Sequence, residues 1–151
     1  MHKLADAIDT RNATSLTLRL TLATIMWPHG AQKVLGWFGG FGFDATMTYF
    51  TDTVGIPWIL GAGVVAIEFL GPLLLLVGLG TRITAVLFSA VMLGAITAGG
   101  HHQYGFFLDW FGNQSGEGIE FHLLMIGSAV ALATLGPGRL SADSALQSAP
   151  R

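Results

Sequence analysis

Four apolar stretches, at about 15–35, 56–78, 83–98 and 119–135, constrain this chain more than anything else in it. A transmembrane helix needs about 20 mostly apolar residues, and each stretch meets or approaches that length. They are dense in Leu and Ala and show no strand-like alternation, so helices are expected throughout. The third and fourth are short for spans, which implies little tilt or ends buried in protein. Only 11% of the 151 residues are charged and 52% are hydrophobic, against about 25% charged in an average soluble domain. Mean hydropathy is +0.61. A water-soluble domain of this make-up would lack the surface charge that keeps small domains dispersed. The net charge of −2, with no basic stripe, excludes nucleic-acid binding. The absence of cysteine excludes disulfide staples, thiol catalysis and Fe–S clusters. The expectation is an all-α integral membrane protein, a four-transmembrane-helix bundle forming one domain over residues 1–151.

Its ends and orientation follow from smaller signals. Gly136-Pro137-Gly138 stops the last helix, and Ser141 is placed to cap a short C-terminal turn. The leader MHKLADAIDTRNATS is polar and no small-residue cleavage site follows, so the first apolar run reads as a retained span. Lys3, Arg11, Arg82, Arg139 and Arg151 fall in the N-terminus, the second loop and the C-terminus, which the positive-inside rule places in the cytoplasm. The loops at 36–55 and 99–118 then face outward. They contain the aromatic runs FGGFGF and HHQYGFFLDWF, readable as an interfacial belt or as a ligand platform. Ala90, Gly94 and Ala98 form a small-residue ridge suited to close helix packing, and Gly61, Ala62 and Ala66 offer another.

Ionisable groups inside apolar spans are costly, so the few present carry most of the functional information. Arg19, Leu22, Met26, His29 and Lys33 share one helical face, with His29 and Lys33 one turn apart. At about 1.5 Å rise per residue, Arg19 lies roughly 7 Å and Glu68 roughly 15 Å from the cytoplasmic ends of their spans. A midplane Arg19–Glu68 ion pair, or a proton relay through the two, is therefore expected. His29, Lys33, Glu120 and His122 form a second group nearer the outer face, read as a pocket or as a structural network. His101, His102 and Glu117 approach it from the loop. Pro28 and Pro72 cannot donate to the carbonyls of Thr24 and Glu68, so each frees a backbone acceptor beside an ionisable residue.

Several of these segments, in this order and spacing, resemble the DoxX family of small four-helix membrane proteins. They are Arg19-Leu20 with Pro28-His29-Gly30-Ala31-Gln32-Lys33, Gly36-Trp37-Phe38-Gly39-Gly40-Phe41-Gly42, Glu68-Phe69-Leu70-Gly71 and Gly78-Leu79-Gly80-Thr81-Arg82. The run Gly116-Glu117-Gly118-Ile119-Glu120-Phe121-His122-Leu123-Leu124 and the ending Gly136-Pro137-Gly138-Arg139-Leu140-Ser141 complete the pattern. The resemblance implies a multi-pass protein of a bacterial or archaeal cytoplasmic membrane with both termini inside. It further implies association with quinol oxidation, thiosulfate:quinone oxidoreduction or oxidative-stress assemblies. It supplies no catalytic residue set.

Three functions stay open on the sequence. A quinone- or redox-associated subunit of a larger membrane complex would use His29, Lys33 and His122 as donors to quinone carbonyls. Glu120 or Glu68 would serve proton transfer, and Phe38, Phe41, Trp110 and Phe111 would stack on the ring. No flavin motif is present, so electrons would arrive from a partner. A non-catalytic scaffold or binding subunit, alone as a homo-oligomer or with other membrane subunits, needs only packing surfaces. A metal protein would use His101, His102 and Glu117, with Glu120 and His122 nearby, and a haem would take His29 and His122 as axial ligands.

Overall fold

Each of the four apolar stretches is a helix; a short helix and a π-turn fill the first connection, a tight turn the second, and a mostly irregular loop the third. The computed structural model describes residues 10–148; among them are six α-helices and no strand. These are α1 (Thr10–Leu35), α2 (Gly42–Thr48), α3 (Trp58–Val77), α4 (Thr81–Thr97), α5 (Glu120–Leu135) and α6 (Ala142–Ser148). A π-turn at Tyr49–Thr53 follows α2, and 3₁₀ turns lie at Trp37–Gly39 and His101–Tyr104. Lys3 and Arg151, two of the charges used to orient the chain, lie outside the described residues. Among the described residues α3 is the one helix both long and apolar enough to cross a membrane; α4 and α5 are apolar but shorter. At 26 residues α1 is the longest, and it reaches back into the polar leader.

The four long helices neighbour one another in the order α1, α3, α4, α5 and back to α1, with α1 on α3 and α4 on α5 the closest pairs. Apolar spacing explains the shared core. Leu22, Ala23 and Met26 of α1 meet Leu75 of α3, Phe88 and Met92 of α4, and Met125, Ala129 and Leu132 of α5. Gly71 lets the Phe88 ring come in close, since a Cβ there would sit 2.7 Å from the ring. The small-residue ridge on α4 does not act as expected. Ala90, Gly94 and Ala98 are exposed, and nothing lies within 4 Å of a Cβ built on Gly94. Of the corresponding set on α3, Gly61 is buried, against Met47 and Phe50, while Ala66 is exposed.

The end of the molecule where α3 turns into α4 is locked by arginines. A helix leaves its last four carbonyls without partners, and here guanidinium groups supply the donors. Arg19 donates to the carbonyls of Leu75 (2.8 Å) and Leu76 (2.9 Å) at the end of α3, and to Pro137 (3.1 Å) and Leu140 (2.6 Å) beyond α5. Arg82 reaches Ala133 and Thr134, and Arg11 reaches Leu135. Gly78, at φ 71°, closes α3 in a left-handed cap with Leu79 N–H on the Leu74 carbonyl at 2.9 Å. Ser141 caps α6 as expected, accepting from the Ser144 N–H at 3.2 Å. The Asp143 carboxylate then caps α4, taking the N–H groups of Gly80 (2.8 Å) and Thr81 (2.9 Å). Burial pushes this carboxyl up, but those N–H groups together with the charge of Arg19 hold it below the ordinary aspartate range.

Candidate functional site

The opposite end holds the polar cluster. It is organised by one close helix crossing. A Cβ at Gly30 would overlap the Glu68 carbonyl and lie 2.6 Å from the Phe69 Cα, so only glycine lets α1 approach α3 here. The carbonyl at the crossing is the one that Pro72 leaves without its helical donor. With the two backbones in contact, Lys33, one turn beyond Gly30, reaches across. Its Nζ lies 2.6 Å from Glu68 Oε2, and the two side chains are 25% and 7% exposed.

This pairing corrects the expected Arg19–Glu68 ion pair and the relay built on it. Arg19 makes its hydrogen bonds to four carbonyls at the other end of the helices. Leu75, its first partner, is seven residues from Glu68, roughly 10 Å along α3. Glu68 takes the nearer cation, Lys33, from the same face of α1.

The ion pair borders two cavities. The first, of about 350 Å³, lies between α1, α4, α5 and the loop after α4. It is lined by His29, Lys33, Glu68, His101, Glu117 and His122 together with Met26, Met92, Ala95, Leu108 and Phe121. Three of the four residues expected to share a pocket therefore do so. His122 is buried, its ring 4.3 Å from that of His101, and its Nδ1 makes no hydrogen bond of ordinary geometry. His29 stays exposed, with its ring 6.0 Å from Phe121. Glu120 is the exception. As the first residue of α5 its carboxylate turns back to accept the Leu108 N–H at 3.2 Å, so it braces the loop instead of lining the cavity.

Glu68, assigned by sequence to a different group, belongs to this one, and His101 and Glu117 join it from the loop. Glu117 also holds the loop, accepting the Asp109 N–H at 2.7 Å. The metal reading is not borne out, because no group of three or more His, Asp or Glu among the described residues is placed to hold an ion. His102 is turned away, with its Nδ1 2.7 Å from the Ile96 carbonyl, while His101 Nδ1 is 2.8 Å from that of Glu117. Ring stacking by Phe38, Phe41, Trp110 and Phe111 is also corrected. All four are exposed, and none lines either cavity.

The second cavity, of about 550 Å³, is an open and largely apolar groove between α3 and α4 beneath the π-turn. Ile59, Gly63, Ile67, Leu87, Gly94 and Ala98 form much of it, and Lys33, Glu68, Ala95 and His101 are shared with the first. Sequence reasoning missed it. Its signal was the row of small residues on α4, which was assigned to helix contact.

The DoxX family model matches residues 14–101, which include most of α1, all of α3 and α4, the Lys33–Glu68 pair and His101. The chain belongs to the DoxX family, a family of membrane proteins. It is 34% identical over 82 residues, 54% of its own length, to a Bacillus subtilis (strain 168) protein named "Putative oxidoreductase CatD". The match spans 56% of that relative. No solved structure matches.

Proposed function

We propose that this chain is a multi-pass membrane protein that binds the polar head of a quinone, as a redox-associated subunit of a larger membrane assembly. In this reading its four long helices all cross the membrane, as a single domain, with both termini in the cytoplasm of a bacterium or archaeon and the histidine cluster toward the outer face. The observation that carries it is the Lys33–Glu68 pair, open to a polar cavity on one side and an apolar one on the other. An ion pair at this depth is expensive unless something uses it. The Lys33 ammonium and the rings of His29, His101 and His122 are donors for carbonyl oxygens, and Phe121 offers an aromatic face. The oxidoreductase name of the Bacillus relative agrees with a redox role, with electrons delivered by a partner.

The test is thermal stabilisation of the purified, detergent-solubilised protein by a ubiquinone carrying a single isoprene unit. Stabilisation is expected for the unaltered chain and loss of about tenfold in affinity for Lys33→Met and for His122→Ala, with the ligand-free variants still folded. Equal stabilisation of all three proteins, or none of any, would overturn the reading.

A further inference from the structure

We infer that the groove between α3 and α4 is the seat of the ligand's hydrocarbon tail and its side entrance from the lipid, a proposal that rests on the head-group reading above. The occupant follows from continuity. The polar cavity and the apolar groove meet at Lys33, Glu68, Ala95 and His101, so a molecule with its head among the histidines has one apolar path leading from it. Each cavity has the size typical of small-molecule sites, about 300–1,000 Å³. Between Leu87 and Ala98 the groove follows α4 for roughly 16 Å.

Its walls explain why it exists. Helices α3 and α4 touch each other far less than α3 touches α1 or α4 touches α5, although only a short turn joins them. The turn is clamped at one end by Asp143, and toward the other end the facing positions are Gly63, Ala90, Gly94 and Ala98, which have too little side chain to fill the gap. In lipid such a gap is filled by chains lying along the protein. A membrane phospholipid would present its phosphate at the level of the headgroups, whereas this groove ends at an ion pair of net zero charge and His101, beyond which the polar cavity adds two more imidazoles and the Glu117 carboxylate. That favours a long-tailed quinone with an uncharged head over a phospholipid.

The test compares ubiquinones with one isoprene unit and with a full-length tail, against Gly94→Phe and Gly63→Phe in the full chain held in lipid nanodiscs. A Cβ at either glycine meets nothing within 4 Å, which leaves the ring to lie in the groove, and the ligand-free Tm of each variant checks that the fold is kept. Each phenylalanine is expected to weaken the long-tailed quinone about tenfold and leave the short one within about twofold. A long-tailed quinone with a photoreactive tail end is expected to label groove residues of the unaltered protein, resisting competition by excess phosphatidylglycerol. Unchanged long-tail affinity, equal loss for both quinones, or displacement of the label by phosphatidylglycerol would overturn the tail seat while leaving the head pocket standing. Failure of the long-tailed quinone alone to bind the unaltered protein would overturn the tail seat, and failure of both quinones would overturn the head pocket and this proposal with it.

Discussion

Two cations on one face of α1 have opposite tasks. Arg19 completes helix ends, a task that suits a planar guanidinium with five donors in fixed directions. Lys33 offers a compact ammonium to one carboxylate and keeps donors free toward the cavities. The distinction makes a clean prediction for stability in detergent. Lys33→Met and Glu68→Gln are expected to couple by more than about 1 kcal/mol, because each leaves the other's charge or acceptor stranded in a largely buried site. Arg19→Lys and Glu68→Gln are expected to add within about 0.5 kcal/mol, as distant sites do. Strong coupling in the second cycle and none in the first would reverse the assignment. The sequence placed Arg19 and Lys33 correctly on one inward face, with His29 lining the cavity from its exposed edge, because helical phase depends only on spacing. It mispaired Arg19 because a long side chain can reach either way along the helix axis, and spacing does not say which: here it runs to the carbonyls of Leu75 and Leu76 and away from Glu68. The better signal was the Gly78 stop, which leaves the last carbonyls of α3 in need of a donor. Glu120 misled for a related reason: a carboxylate at the first position of a helix is as free to turn back onto the preceding loop as to point inward.

At the scale of elements, boundaries were legible and crossings were not. Apolar runs and Gly or Pro stops set the long helices to within a few residues at most ends, yet nothing local marks Gly30 as the place where two backbones touch. That contact depends on where α3 lies in space. The short α6 helix shows the same division: its Ser141 cap is local, whereas its use as a clamp is not. Asp143 projects from the first turn of α6 to cap α4, and its carboxyl is held below the ordinary aspartate range. A depressed folded-state value means that the unfolded chain binds the proton more readily. The stabilisation from this clamp is therefore complete above the unfolded value of about 4 and is lost as the pH falls through the lower folded value. Asp143→Asn, which keeps one accepting oxygen and sets an amide N–H against the other backbone donor, is expected to cost about 1 kcal/mol at pH 7. The difference in Tm between the unaltered protein and this variant is expected to shrink as the pH is taken below the ordinary aspartate value of about 4. A difference that stayed constant across that range would show that the carboxylate charge is not what holds the turn.

For the molecule as a whole, the absence of cysteine makes the proposed orientation easy to check. Single cysteines at the exposed positions Asn113 and Gln147 lie at opposite ends of the structure. With intact cells, a membrane-impermeant maleimide is expected to label Asn113→Cys and to spare Gln147→Cys until the cells are opened. The reverse pattern would invert the molecule, and labelling of both from outside would mean that α5 does not cross the membrane between them. The arginine lock also has a consequence for how the protein is made. Arg19 enters early, but two of its four acceptors, Pro137 and Leu140, lie 118 and 121 residues further along the chain. At about 5–20 residues per second, translation leaves that guanidinium waiting roughly 6–24 s for its last partners. Ser15, whose hydroxyl donates to the Gly136 carbonyl, waits equally long. The lock therefore closes only after all four long helices have been made, and a chain terminated before Pro137 carries a half-satisfied buried cation that marks it chemically as unfinished.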